Sequence, residues 1–543
     1  MIFKKVKKFI GKKLRNYKKQ QKRINTVASE AGWSKSQAKK ALAKAKAMGM
    51  PEYRYIKNEC WNLSDEEIIS LNEGIEKRLE EKAAEEAFVK ALVEKSGLKA
   101  DVIAQKLKTA RELDIKDSIF ENKQLWDLTD EELEEYVKYT RKLRIRRKKI
   151  NKYYLSIVCE RSGWDEEKAK AEMAAARKKG VSNAKYVQNS YWTKTEEEID
   201  AAAQKAIAYK ERMAGNAKMY FDIVRQETGW SYAKTVLEST KIRANCGASD
   251  EDIALFKLYN KTPKKQRTYA THDMFEMFRI KFNDATGSWE NFSDKAKFNE
   301  NFADLIERKW FVNRNLSYDE FLNKIQSLDR LIIKPIAATQ GKGIEVVKCN
   351  VSDDDNKTLY KYIKSLKKSV VEEYVIQHKE MSKFCASTVN TVRVLTLNYN
   401  GDVKLLYSVF RMGKAGVVDN FHAGGVAAGV DVETGIVCTN AVNLDGDIFT
   451  HSPATNEPIK GFQIPNWDKI SEICKKAGTR IDSTKLVGWD FAVTENGAEL
   501  IEGNQSGSYI VAQLPFVEED KGLYSSMVSP YLPEFKEIFK YKN

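Results

Sequence analysis

The feature that most constrains this chain is a recurrence in its first half. Glycines stand at Gly32, Gly97, Gly163 and Gly229, at steps of 65, 66 and 66 residues. Three precede tryptophan (Trp33, Trp164, Trp230) and the second precedes Leu98. Downstream aromatics, Trp61, Trp126, Trp192 and Tyr259, keep the same step to within a residue. Three positions after each comes a hydroxyl: Ser64, Thr129, Thr195 and Thr262. Two independent landmarks on one period define a repeat, whose unit buries its apolar face by stacking on its neighbours.

One unit reads as three helices. The first (residues 24–31, 87–96, 153–162 and 219–228) ends at the glycine, which closes a helix in the left-handed conformation without steric cost. An Ala- and Lys-rich second helix follows, as at 36–48 and 166–179. The hydroxyl then caps a third helix, with Glu67, Glu132 and Glu198 placed three residues later to complete a capping box. In the fourth unit Thr262 is followed by Pro263 and Lys265, a helix start without the box, as befits a terminal unit. The expected layout is a segment 1–23, helical units 24–86, 87–151, 152–217 and 218–275 (the last atypical), and a further domain over 276–543. The tryptophans read as core residues cementing each unit, and the array as a surface that holds a partner.

The net charge of +15 could suggest nucleic acid, but residues 1–23 hold eleven Lys and Arg and no acid, leaving +4 for the rest. Nucleic-acid binding by the domains is therefore disfavoured. In the tail Ile2, Phe3, Val6, Phe9, Ile10, Leu14 and Tyr17 recur at helical spacing among the lysines. Such a basic amphipathic helix suits an anionic membrane surface; a solvated leader or a helix packed on the first unit are the alternatives. No apolar run of membrane-spanning length and no secretory leader is present, and seven scattered cysteines form no CxxC pair. The expected setting is the cytoplasm, at the inner face of a membrane if the tail docks there.

After about residue 271 the texture changes. Strand-like segments at 331–334, 344–348, 370–376, 389–398, 403–410, 425–432, 488–493 and 498–502 alternate with helices at 357–368, 467–476 and 534–541. The expectation is an α+β domain with a mainly antiparallel sheet.

Four motifs there carry chemistry. Lys334-Pro335 precedes Gln340-Gly341-Lys342-Gly343-Ile344, a Gly-rich turn whose N–H groups could approach a polyphosphate. Glu372-Glu373-Tyr374-Val375 ends an apolar strand. Arg411 precedes Asp419-Asn420-Phe421-His422-Ala423-Gly424-Gly425, a cation followed by a loop with twin glycines that allows close approach. Asp490 and, past an Asn496-Gly497 turn, Glu502 and Asn504 tip two apolar strands. The hairpin would bring Asp490 and Glu502 onto one face, and three oxygen donors there suit Mg²⁺.

Taken in order, these motifs resemble the ATP-grasp superfamily over residues 285–530. They are similar to its glutamate-ligase-type members and to the ATP-grasp proteins associated with sugar transfer and capsule synthesis in bacteria. The resemblance implies an Mg-ATP-dependent ligase that joins a carboxylate to an amine through an acyl phosphate. It implies ATP and two Mg²⁺ ions as cofactors, with Asp490, Glu502 and Asn504 as metal ligands. Lys295 or Lys297 would be the first nucleotide lysine and Lys334 the second. The loop Gln340, Gly341, Lys342 and Gly343 would cover the phosphates, with Lys342 near the γ-phosphate. Glu372, Glu373, Tyr374 and Val375 would be the adenine hinge and Glu380 the ribose ligand. Arg393 and Arg411 would face the transferred phosphate and acyl group, and Asn420 would lie in the acceptor loop. Where some relatives carry an arginine two residues before the metal aspartate, this chain has Gly488, so Arg393 or Arg411 must serve. The acceptor, held by the helical units, would be a cell-surface glycan, a lipid-linked precursor or a peptide. A polyglutamate-type ligase and a non-catalytic nucleotide-binding scaffold are the competing readings.

Overall fold

The computed structural model describes residues 2–284, 289–336, 343–414, 424–505 and 507–538. It divides into two compact units, Met1–Trp126 and Asp127–Asn543. The first is all helix. Helix Ile2–Glu30 is followed by Lys35–Ala47 and Asp65–Ser96, and Ile24, Val27, Leu42 and Tyr55 form a core against which Trp33 and Trp61 pack. Ser64 and Glu67 make the expected reciprocal capping box.

The second unit opens with two long helices, Asp130–Ser162 and Glu196–Thr228, each begun by a capping box (Thr129 with Glu132, Thr195 with Glu198). Gly97, Gly163 and Gly229 close the three long helices at φ of 71°, 72° and 69°. The boundaries expected at 23/24, 86/87, 151/152 and 217/218 all fall inside continuous helices. None of these helices contains a proline, so the third helix of one unit runs on as the first of the next. A further landmark recurs two residues before each aromatic. Glu59, Gln124, Ser190 and Lys257 all adopt left-handed backbone, φ 49–52°. Four different residue types hold this conformation, so it is set by the junction and not by local preference.

The rest of the second unit is built on two sheets. Strands Trp310–Val312 (β1), Arg330–Pro335 (β2), Glu345–Lys348 (β3) and Ser369–Glu373 (β4) form a four-stranded sheet in the order β1-β4-β2-β3. Strands Thr391–Tyr399 (β5), Asp402–Met412 (β6), Val426–Val430 (β7), Val437–Val442 (β8), Ile448–Phe449 (β9), Leu486–Thr494 (β10) and Gly497–Asn504 (β11) form a seven-stranded sheet in the order β11-β10-β5-β6-β7-β8-β9. Every pairing is antiparallel. The eight expected strands are present; β1, β8 and β9 are additional. Trp310–Val312 is three residues long and shows no alternation that a sequence could advertise.

The large sheet is covered on both faces. One carries Val392, Val394, Phe410, Trp489, Phe491 and helix Trp467–Ala477. The other carries Leu395, Leu397, Tyr407, Val409 and Leu486, and packs against residues of the helical segment, Tyr154, Ile157, Ile253, Phe256, Phe275 and Phe278. The helices after Asp127 thus share one core with the sheet domain. Trp164, Trp192 and Trp230 pack against that core, in keeping with a structural role.

A Cβ at Gly229 would meet nothing within 4 Å, so only its backbone requires glycine. Gly229→Ala should lower stability by about 1–2 kcal/mol through left-handed strain, and Gly229→Asn by less. Denaturation midpoints of the two variants check this; equal midpoints would show that the helix end tolerates side chains freely.

Candidate functional site

Strand β10 lies between β5 and β11, and its register sets Asp490 opposite Arg393 on one side and Glu502 on the other. Directly opposed residues of antiparallel strands share a face, so the three side chains converge. Arg393 forks onto Asp490, Nε to Oδ1 and Nη2 to Oδ2 both at 2.6 Å. Arg411, on β6, reaches Asp490 Oδ2 at 3.1 Å and is steadied by Thr391 Oγ1 at 3.0 and 2.7 Å. Glu502 stands 3.9 Å from Arg393 Nη2, and its Oε1 accepts from Asn504 Nδ2 at 3.1 Å. The absence of a side chain at Gly488 leaves space over which the Arg393 stem passes: a Cβ there would be 3.9 Å from Arg393 Cδ.

Burial alone would raise the Asp490 pKa, but the charges of Arg393 and Arg411 outweigh it and hold the group at about 2. Glu502 moves the other way. Its carboxyl is crowded by protein atoms on the sheet side, and this desolvation, joined by the Asp490 charge, raises its pKa. Its side chain nevertheless remains 47% exposed. Two neighbouring carboxyls with opposed shifts form a functional-site signature. Among the described residues no three His, Cys, Asp or Glu side chains cluster as a metal site. The donor set here is two carboxylates and the Asn504 amide oxygen, hard oxygens of the kind Mg²⁺ takes. A cation would share Asp490 with two arginines.

A second charged group, unforeseen from sequence, joins the two sheets. Arg308 is 2% exposed and donates from Nε to Glu372 Oε2 at 3.0 Å and from Nη1 to Glu499 Oε1 at 2.6 Å. It also donates to the Leu500 carbonyl at 2.6 Å. Lys334 Nζ lies 2.5 Å from Glu372 Oε2, and Asn299 Nδ2 donates to the other Glu372 oxygen at 2.9 Å. Burial opposes ionisation of Glu372, yet Arg308 and Lys334 drive its pKa well below the usual range. Nothing near Arg308 in sequence marked it; its partners are 64 and 191 residues away.

The residues expected to form the hinge lie at the end of β4 and just past it. Glu372 turns its side chain into this network at 2% exposure and not toward a ligand. Its strand is internal, paired with β1 and β2, and the N–H groups of Glu373 and Tyr374 are taken by the Lys309 and Arg330 carbonyls. A main-chain hinge is therefore left to Val375 and the chain after it. The Tyr374 ring carries the Arg330 guanidinium 4.2 Å from its centre. Glu380 pairs with Lys383 at 2.6 Å. Lys297 is exposed and paired with Glu290, whereas Lys295 lies within the field of Glu502, Lys334 and Glu372, its pKa lowered chiefly by burial. That places Lys295 with the site. Gly343 takes φ +73°. Gln340, Gly341, Lys342 and Asn420 lie outside the described residues.

Two antiparallel sheets are thus joined by a buried arginine, with Lys334 on the small one and the Asp490–Glu502 carboxylate pair on the large one. Residues 311–526 match the family described as sugar-transfer associated ATP-grasp. Similar solved structures include N5-carboxyaminoimidazole ribonucleotide synthetase with ADP, at 12% identity, 40% of this chain, 46% of that one and TM-score 0.26. The ATP-grasp ligase PsnB with its minimal precursor matches at 14% identity, 42% of this chain, 56% of that one and TM-score 0.25. A D-alanine–D-alanine ligase from Bacillus anthracis matches at 13% identity, 47% and 72% coverage and TM-score 0.29. The chain spans about half the length of the first two. No curated protein matches it.

Arg308→Met would strand two buried carboxylates and should cost roughly 3–5 kcal/mol, read as a shift in denaturation midpoint. A shift under about 1 kcal/mol would mean that the network contributes little. The depressed Asp490 pKa also fixes a pH dependence. A group at about 2 when folded and ordinarily near 3.9 stabilises the fold above about pH 4, and that contribution, on the order of 2–3 kcal/mol, is lost as pH falls toward 2. Asp490→Asn should flatten the acid limb of the stability curve over this window; an unchanged limb would contradict the arginine pairing.

Proposed function

We propose that this protein is an Mg-ATP-dependent carboxylate–amine ligase that attaches an amino acid to a cell-surface polysaccharide or its lipid-linked precursor. The observation that carries the reading is the convergence of Arg393, Arg411, Asp490 and Glu502 on one sheet face, within the matched segment. The glycan follows from the family's association with sugar transfer.

In the reaction proposed, a substrate carboxylate oxygen attacks the γ-phosphorus of ATP and ADP leaves, giving an acyl phosphate. The amine then attacks the acyl carbon, phosphate leaves with the bonding electrons, and the amine gives up a proton. Asp490, Glu502 and Asn504 would hold one or two Mg²⁺ ions, which when bound supply charge neutralisation at phosphate oxygens. Lys295 and Lys334 would meet the polyphosphate, the loop Gln340–Gly343 with Lys342 would cover it, and Val375 and Glu380 would meet the nucleoside. Arg393 and Arg411 would steady the negative charge that builds on the transferred phosphoryl and acyl oxygens. Asn420 would lie by the acceptor. Four helical units would hold that acceptor, and the basic tail would rest on an anionic membrane face. No helix among the described residues is long and apolar enough to cross a membrane.

Calorimetry with a non-hydrolysable ATP analogue, with and without Mg²⁺, tests the site. Wild type should bind more tightly with Mg²⁺. Glu502→Gln should lose that gain and, in hydroxylamine trapping of acyl phosphate, lose turnover on the order of 100-fold. Full turnover in Glu502→Gln would remove the metal assignment, and a folded wild type blind to millimolar nucleotide would remove the ligase reading.

A further inference from the structure

Beyond residue 23 the charge is nearly balanced only as a sum. Between Tyr136 and Cys159, inside helix Asp130–Ser162, stand nine Lys and Arg and no acidic residue. Arg146 turns inward to Asp273 at 2.9 Å, and Lys149 donates to the Glu537 carbonyl at 2.9 Å. At 100° per residue, Lys138, Arg141, Arg144, Lys148 and Lys152 fall within one arc of about 120°. All five are exposed, on the side away from the buried Tyr136, Tyr154, Ile157 and Val158. Lys152 is near enough to Glu166 to depress its pKa, whereas Arg141, Arg144 and Lys148 enter no ion pair among the described residues. The row is about 21 Å long at 1.5 Å per residue.

Several other helices match exposed lysines within a turn, as Lys82 with Glu86, Lys170 with Glu166 and Lys218 with Asp222. Helix Lys35–Ala47 also lacks acidic residues, but its cations are lysines only, without the arginines that stand in this row. Like charges three and four residues apart destabilise a helix by a few tenths of a kcal/mol each. Here they stand together without internal compensation, which points to an external anion. The arc offers no aromatic for base stacking, as single-stranded nucleic acid would want. Its apolar content is Ile145 alone, too little to anchor a helix in a membrane interface. A linear polyanion contacted through its charged groups alone matches such a row. We propose that the face formed by Lys138, Arg141, Arg144, Lys148 and Lys152 binds a carboxylate- or phosphate-bearing glycan chain. That the chain is also the acceptor rests on the ligase reading; that the face binds it does not.

The test uses the full chain and a size-defined heparin oligosaccharide as probe, with neutral dextran, single-stranded DNA and anionic vesicles as comparisons. Arg141→Glu/Arg144→Glu/Lys148→Glu should weaken oligosaccharide binding at least ~10-fold at low salt. It should also lower the salt slope by roughly two to three, the number of contacts removed. A tail variant, Lys12→Glu/Lys13→Glu/Arg15→Glu, should leave that binding nearly intact. ATP-analogue binding by the helix variant reports that its fold survives. Oligosaccharide binding unchanged in the helix variant overturns the proposal. So does a loss confined to DNA or vesicles, which would assign the face to another class of anion. A wild type that binds the oligosaccharide but no nucleotide would sink the ligase reading and leave this one standing.

Discussion

Arg308 is the contact on which the sheet domain depends. A guanidinium at 2% exposure has lost its water, a desolvation of several kcal/mol that only well-formed hydrogen bonds can offset. It finds them on both sheets at once: Glu372 on β4 of the small sheet, and Glu499 with the Leu500 carbonyl on β11 of the large one. The planar fork makes this bridge directional in a way an ammonium could not. Because Glu372 also holds Lys334, the same carboxylate that joins the sheets neutralises a second buried cation. Two acids and two bases balance there, so the network is neutral as it stands.

The Asp490 cluster follows the opposite logic. Its two arginines outnumber the carboxylate they grip, and Glu502 beside them has a raised pKa. A group arranged purely for stability would not set a second carboxylate against the first at a cost to its ionisation. Supplying an additional cation would relieve that conflict, and the guanidinium groups of Arg393 and Arg411 would favour an anion beside it. Both are what a metal–polyphosphate brings.

How much of this could be read from the chain depends on whether the determinant was local. Capping boxes, helix-closing glycines and the Asn496-Gly497 hairpin are written in a few adjacent residues, and each stands where the spacing put it. The continuity of the long helices was missed because no proline marks a repeat boundary and the helix runs through Gly215 without a break. The left-handed Glu59, Gln124, Ser190 and Lys257 were illegible because no residue type is shared among them. Arg308 was illegible for a different reason: its meaning lies in partners on strands far along the chain. The burial of the Glu372 side chain was illegible because a strand's position within its sheet, internal between β1 and β2, cannot be seen from its own residues.

The helical segment does more than precede the sheets. Asn283, at the end of helix His272–Phe282, donates to the carbonyls of Leu486 and Gln505 at 2.8 Å each and accepts from the Leu486 N–H at 2.8 Å. One amide thereby ties the start of β10 to the residue just past β11, the two strands that carry Asp490 and Glu502. Further on, the buried Asp252 caps its own helix through Ser249 and also accepts from the His272 N–H at 2.9 Å and Tyr509 Oη at 2.7 Å. Tyr509 begins the helix that follows β11 after Asn504. The last helices of the array thus hold the far ends of the two site strands, on the sheet face that also bears the charged cluster. An acceptor held on these helices would rest on the framework that sets the spacing of Asp490 and Glu502. The helices from Asp130 onward and the sheet domain are therefore one packed body within the second unit.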